Sequence, residues 1–126
     1  MSKRKTGVLP ETVQESKLSE RDTRRIIERN EQIHLAIAVL IHGKTYATTR
    51  FPHYSGFLTK LRIAYNTANE EEFLFFLQHY FEQARKHIPQ VPIKRKTDKI
   101  VEEVKRLIGL YGVQPVAACI LARMVG

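Results

Sequence analysis

The chain has 126 residues, 43% of them apolar, and 21 Lys and Arg against 13 Asp and Glu give it a net charge of +8. This is enough for one small domain with its own core, which excludes a disordered tail, and a basic balance of this size favours a polyanionic partner. The longest apolar runs, 35–41 (LAIAVLI) and 116–122 (VAACILA), are seven residues each, too short to cross a bilayer, and the single cysteine, Cys119, excludes a disulfide framework and points to a reducing, cytoplasmic setting.

Residues 1–17 read as an exposed basic arm. Lys3, Arg4 and Lys5 cluster there, and Gly7 and Pro10 interrupt it. No apolar stretch follows the basic start, so no secretory signal is expected. Residues 18–126 are expected to form one helical domain.

Ser19 resembles a helix N-cap, with Asp22 three residues on. Ile26, Ile33, Ile37 and Leu40 then recur at helical spacing, and Gly43 is placed to end the element. The spacing predicts a first helix over 20–42. Along it Arg21, Arg25 and Arg29 stand at i, i+4 and i+8, a stripe roughly 12 Å long that can follow a sugar-phosphate backbone. Asp22 and Glu28 are near enough to neutralise part of that stripe.

The connection over 43–53 begins with Gly43-Lys44-Thr45, the triplet that ends a phosphate-binding loop. That loop needs a glycine five residues earlier, and the position holds Ala38, inside an apolar helical run. Nucleotide hydrolysis is therefore not expected. Lys44, Thr45, Thr48, Thr49 and Arg50 offer charges and hydroxyl donors suited to phosphate oxygens, and Tyr46 and Phe51 offer faces for an unpaired base. The alternative is that the two aromatic rings tuck under the bundle and the threonines cap turns. YATTRF, 46–51, is the best strand candidate, and it is short.

Tyr54, Phe57, Leu58, Leu61 and Tyr65 predict a second helix over 54–67, which carries Lys60 and Arg62. From Gln32 to Asn69, 38 residues, there is no acidic side chain. Asn69 followed by Glu70, Glu71 and Glu72 marks the start of a third helix, and Pro89 ends it after Arg85, Lys86 and His87. A proline-punctuated loop then carries Lys94, Arg95 and Lys96, a third basic patch. Thr97 is expected to cap a fourth helix, striped by Ile100, Val104, Leu107 and Ile108 and stopped by Gly112. Pro115 suits the first turn of a fifth, over 114–124. That last helix is apolar nearly all round, so it is expected to be central or docked on a partner. The fold class is all-α, a single-domain bundle of about five helices.

No constellation points to catalysis. His34 and His42 are eight apart, as are His79 and His87, and neither pair has metal-ligand spacing. Glu70 to Glu72 and Glu102 with Glu103 sit where helix starts and solvated faces place acids. No Ser/His/Asp or Cys/His arrangement is present. The chain is expected to be non-enzymatic, with no cofactor and no metal. LYGVQPVAACILARM has the rhythm of a helix-turn-helix, but its second helix offers base edges only Gln114 and Arg123.

In size, helical pattern and basic balance the chain resembles the small-subunit family of CRISPR effector complexes, the archaeal type I-A Cascade small subunit most closely. The resemblance covers most of the chain as architecture, including a basic hydroxyl-rich loop and no catalytic motif; KTYATTRF and GVQPVAACILARM are the segments to align first, and type III small subunits share the same size and helical character. The resemblance implies a non-enzymatic helical subunit of a CRISPR RNA-guided surveillance complex in antiviral defence. Its partners would be the guide RNA and target DNA backbone, other subunits and copies of itself, with no membrane. It would stabilise the guide–target duplex or the displaced strand through Lys44, Arg50, Lys60 and Arg62, helped by Arg21, Arg25 and Arg29. Two other readings stand beside it: a DNA-binding regulator of an archaeal virus or plasmid, and a helical interaction adaptor.

Overall fold

The computed structural model describes residues 19–124, so the predicted basic arm lies outside the described residues. Six helices follow in order: α1 (Glu20–Glu28), α2 (Glu31–Thr45), α3 (Tyr54–Asn66), α4 (Glu70–His87), α5 (Lys94–Tyr111) and α6 (Val113–Leu121), with a 3₁₀ turn over Ala122–Met124. Among the described residues there is no strand, and YATTRF lies in the turns that follow α2. The chain is an all-α bundle.

The expected first helix is two helices. The break falls at Asn30, whose backbone is extended (φ −72°, ψ 126°) and whose Oδ1 accepts from the amides of Gln32 and Ile33. Asn30 therefore caps α2, and its Nδ2 also donates to Glu103 Oε2 at 2.7 Å. The apolar period runs on unbroken across this joint because Ile27 and Ile33 both face the core. Periodicity alone hides the break.

Gly43 does not end α2. The helix continues to Thr45, and Gly43 is buried inside it beneath Tyr80. Thr97 does not cap α5 either. That helix starts three residues earlier at Lys94 behind Ile93, with no side-chain cap. Thr97 is 1% exposed, donates to the Lys94 carbonyl at 3.0 Å and accepts from Arg85 Nη1. Gly112 stops α5 as expected: its φ of 95° suits glycine, and its amide bonds the Ile108 carbonyl at 2.8 Å.

α6 is the centre of the bundle. It packs against each of the five other helices, and Val113, Val116, Ala117, Cys119, Ile120 and Leu121 are buried on it. A helix so enclosed cannot enter a DNA groove, which removes the helix-turn-helix reading of α5 and α6. α4 lies between α3 and α5, and its Phe73, Leu77, Tyr80 and Phe81 fill the middle of the core. Each such side chain contributes about 2 kcal/mol by leaving water.

Candidate nucleic-acid interface

The turns after α2 are built around two aromatic residues. Phe51 is fully buried, and its amide reaches back to the Tyr46 carbonyl at 2.8 Å. Its ring packs edge-on against Tyr80 at 5.3 Å and stacks near Phe57 at 6.2 Å. Tyr46 is half-buried, receives a hydrogen bond on Oη from Gln90 Nε2 at 3.1 Å, and has the Arg50 guanidinium over its ring at 5.7 Å. The expectation that Phe51 stacks a base is therefore overturned: its faces belong to the core. Tyr46 presents its ring to Arg50.

The threonines divide. Thr45 Oγ1 donates to the Ile41 carbonyl and Thr49 Oγ1 to the Tyr46 carbonyl. Both hydroxyls are engaged in local turns in the free protein. Thr48 is exposed and makes no such bond among the described residues, and Lys44 and Arg50 are exposed beside it.

Two patches that are distant in sequence meet at this end of the bundle. The bond from Gln90 to Tyr46 ties the segment after α4 to the turns after α2. The bond from Arg85 to Thr97 ties the end of α4 to the first turns of α5. Lys94, Arg95 and Lys96, all exposed, thereby join Lys44, Thr48 and Arg50 on one end of the fold. Exposed Lys86, His87 and His53 stand between them, the two imidazole centroids 6.5 Å apart. His53 lies in the acid-free stretch 32–69, where the sequence offers it as a phosphate or base contact; the signal that could have found Lys86 and His87 is a second acid-free stretch, residues 83–97, between Glu82 and Asp98.

Other expected contacts are not brought here. Lys60 lies over the Phe76 ring at 5.7 Å, on the seam between α3 and α4. Arg62, two residues on and so on a different face of the helix, donates from Nη2 to the Met124 carbonyl at 2.8 Å. That bond caps the 3₁₀ turn. Arg21, Arg25 and Arg29 are exposed on α1 and at its C-cap. The 15-residue α2 separates Arg29 from Lys44 by about 22 Å along its axis. The row on α1 is thus a separate surface.

The electrostatics of the basic end run against helix stability. α1, α2 and α4 carry acids in their first turn and a side-chain N-cap, Ser19, Asn30 and Asn69 respectively. α3 and α5 begin at the basic end with neither. α6 also lacks both, but it starts at the opposite end of α3, where Gln114 bonds the Tyr65 carbonyl. Lys94, Arg95 and Lys96 occupy the first turn of α5, where the macrodipole is positive. A cation there is disfavoured by about 0.3–1 kcal/mol. Asp98 offsets part of this by pairing with Lys94 at 2.7 Å. By contrast Arg85, Lys86 and His87 sit in the last turn of α4, where the dipole welcomes them.

What this end offers chemically is cationic contact with an anionic backbone. Cys119 is buried in α6, far from it in the fold, and desolvation holds its thiol above the ordinary value. Among the described residues no group of three or more His, Cys, Asp or Glu side chains is placed to hold a metal ion, and no helix is long and apolar enough to cross a membrane. No protein family, curated protein or solved structure matches the chain.

Proposed function

We propose that the chain is a non-catalytic nucleic-acid-binding subunit that grips a phosphate backbone with the end of the bundle formed by Lys44, Thr48, Arg50, Lys86 and Lys94 to Lys96. One observation carries the reading. The acid-free turns after α2 and the acid-free segment 83–97 meet at one end, and three of the cations there, Lys94, Arg95 and Lys96, stand where the dipole of α5 opposes them. Helix stability gives no reason for that arrangement, and a polyanion gives one.

Recognition goes through phosphates. Phe51 and Tyr54 are buried, and Tyr46 is paired with Arg50. Binding would then be largely independent of sequence and steeply dependent on salt. The setting we propose follows the family resemblance: a cytoplasmic CRISPR surveillance complex, with guide RNA and target DNA as the backbone held and with other subunits and further copies of the chain as neighbours. The genes beside this one test that setting, which fails if none encodes another subunit of such a complex.

The binding itself is tested by reversing Arg50 and Arg95 together to Glu and measuring fluorescence anisotropy with a labelled mixed-sequence oligonucleotide. Affinity falls by about tenfold or more, and the log–log salt slope on duplex DNA becomes shallower by about 1.8, about 0.9 for each lost phosphate contact. Wild-type affinity in the doubly reversed chain at moderate salt would remove this end as the binding surface. A helical adaptor role draws on exposed apolar side chains such as Phe75 on α4, 54% exposed with its ring 4.3 Å from that of His79. It leaves the cations of α5 unexplained.

A further inference from the structure

His53 and His87 belong to the basic end, and no dipole or hydrogen bond accounts for both. His53 stands just before α3, at the positive end of that helix, and His87 closes α4. The buried Phe51 ring packs beside both, 6.3 Å from each imidazole centroid. It holds the two rings 6.5 Å apart at the surface. Among the described residues neither ring makes a hydrogen bond or an ion pair. One phosphate group can bridge donors at such a separation with a charge-assisted hydrogen bond of about 2.8 Å on each side.

Among the described residues the charged side chains at this end are mostly cationic. Arg50 approaches from the turns after α2, Arg85 and Lys86 from α4, and Lys94, Arg95 and Lys96 from α5. From α2 the neighbours are His42 and Lys44, and from α3 Tyr54 and Phe57. The acids nearest His87 in sequence are Glu82, 3.9 Å from His79 Nδ1, and Asp98, which pairs with Lys94; those nearest His53 are Glu31 and Glu70. A phosphate bound between the rings supplies the anionic partner that favours the charged form of an imidazole.

We infer that His53 and His87 form a proton-linked phosphate site: the pair takes up protons as a nucleic-acid phosphate binds between its rings, so the grip tightens as pH falls. This rests on the backbone-binding reading of the same end of the bundle. Imidazole changes charge between about pH 8 and pH 5. The protonated form is the one that attracts phosphate, so affinity rises through that window and is lowest above it. Two surface charge contacts that appear together strengthen binding by about tenfold.

The test is anisotropy on the full chain with a labelled mixed-sequence duplex, at about pH 8 and about pH 6 and at constant salt. Calorimetry at the lower pH, in two buffers of different ionisation enthalpy, counts the protons taken up. The expected result is about tenfold tighter binding at the lower pH with net proton uptake. Both effects disappear in the double variant His53→Gln/His87→Gln and persist in His79→Gln, which lies outside the pair. Circular dichroism confirms that each variant keeps its helices. Binding that is equal at the two pH values, or a pH dependence that survives in the double variant, overturns the histidine site and leaves the backbone-binding reading standing. An absence of binding by wild type at either pH overturns that reading itself.

Discussion

The hydroxyl of Tyr80 occupies the space in which a side chain at Gly43 would begin. A Cβ built there lies within the hydroxyl oxygen's own sphere and 2.8 Å from Cζ of the same ring. Tyr80 cannot retreat, because it is fully buried and its ring is boxed by Phe51, Tyr54, Phe57 and Phe81. Its hydroxyl is also held, donating toward the Val39 and Leu40 carbonyls at 3.0 and 3.3 Å. Burial pushes its phenol well above the usual range. Gly43→Ala therefore destabilises the fold by about 3 kcal/mol, read by urea denaturation. Tyr80→Phe alone costs about 1 kcal/mol. The double variant is less destabilised than the sum of the two, because removing the oxygen relieves the closer of the two clashes. Simple additivity would mean that the two positions do not share this contact.

Because the buried aromatic rings of the basic end cannot stack on bases, a duplex and its single strand compete for the same phosphate contacts. We expect their affinities to agree within about tenfold at equal salt, in contrast to a stacking site worth about 1–3 kcal/mol per base. Anisotropy with matched single and double strands checks this. A strong preference for the single strand would point instead to an aromatic platform such as Phe75.

Arg62 separates fold from function. Its bond to the Met124 carbonyl ties α3 to the end of the chain's last described turn, and the Tyr54 hydroxyl meets Met124 Sδ at 3.2 Å beside it. Arg62→Ala lowers stability by about 1 kcal/mol in thermal or urea denaturation. Its effect on oligonucleotide affinity is small beside that of the Arg50 and Arg95 reversals. An Arg62 variant that is fully stable but binding-defective would return this residue to the interface.

Glu103 sets part of the acid response. Hydrogen bonds from Arg106 and then Asn30 hold its carboxylate down to about 2, from an ordinary 4.5. A folded-state value below the unfolded one contributes stability above pH 4.5 and loses it as pH falls toward 2. Wild type should therefore lose stability across that window, and Glu103→Gln should be less stable than wild type at neutral pH and flatter through the window. Parallel pH curves for the two chains would show that the Asn30–Glu103–Arg106 cluster contributes nothing.

The helices were legible where a cap and a period agree. Asn69 with its three glutamates and the apolar face behind them define α4 in sequence, and the fold follows them. Asn30 was a cap as well, but the apolar period passes through it, and the stronger signal hid the weaker. Gly43 misled for a related reason. Glycine after an apolar run usually ends a helix, whereas here it makes room for a ring from 37 residues further along the chain, a demand that no local pattern reveals. At the candidate site the charges were visible in the sequence and their grouping was not. Lys94 to Lys96 join Lys44 and Arg50 only through the bonds from Gln90 to Tyr46 and from Arg85 to Thr97. The separation of Arg62 from the others was equally hidden, because its partner is a backbone carbonyl 62 residues away.

The joint at Asn30 bears on motion as well as on architecture. α1 has nine residues and buries one of them, Ile27, against a bundle whose other members are enclosed far more deeply. Its amides should exchange with solvent well before those of α4 or α6, at a small fraction of the free energy that opens the whole molecule. The arginine row on α1 is therefore carried on an independently opening unit, hinged at one asparagine.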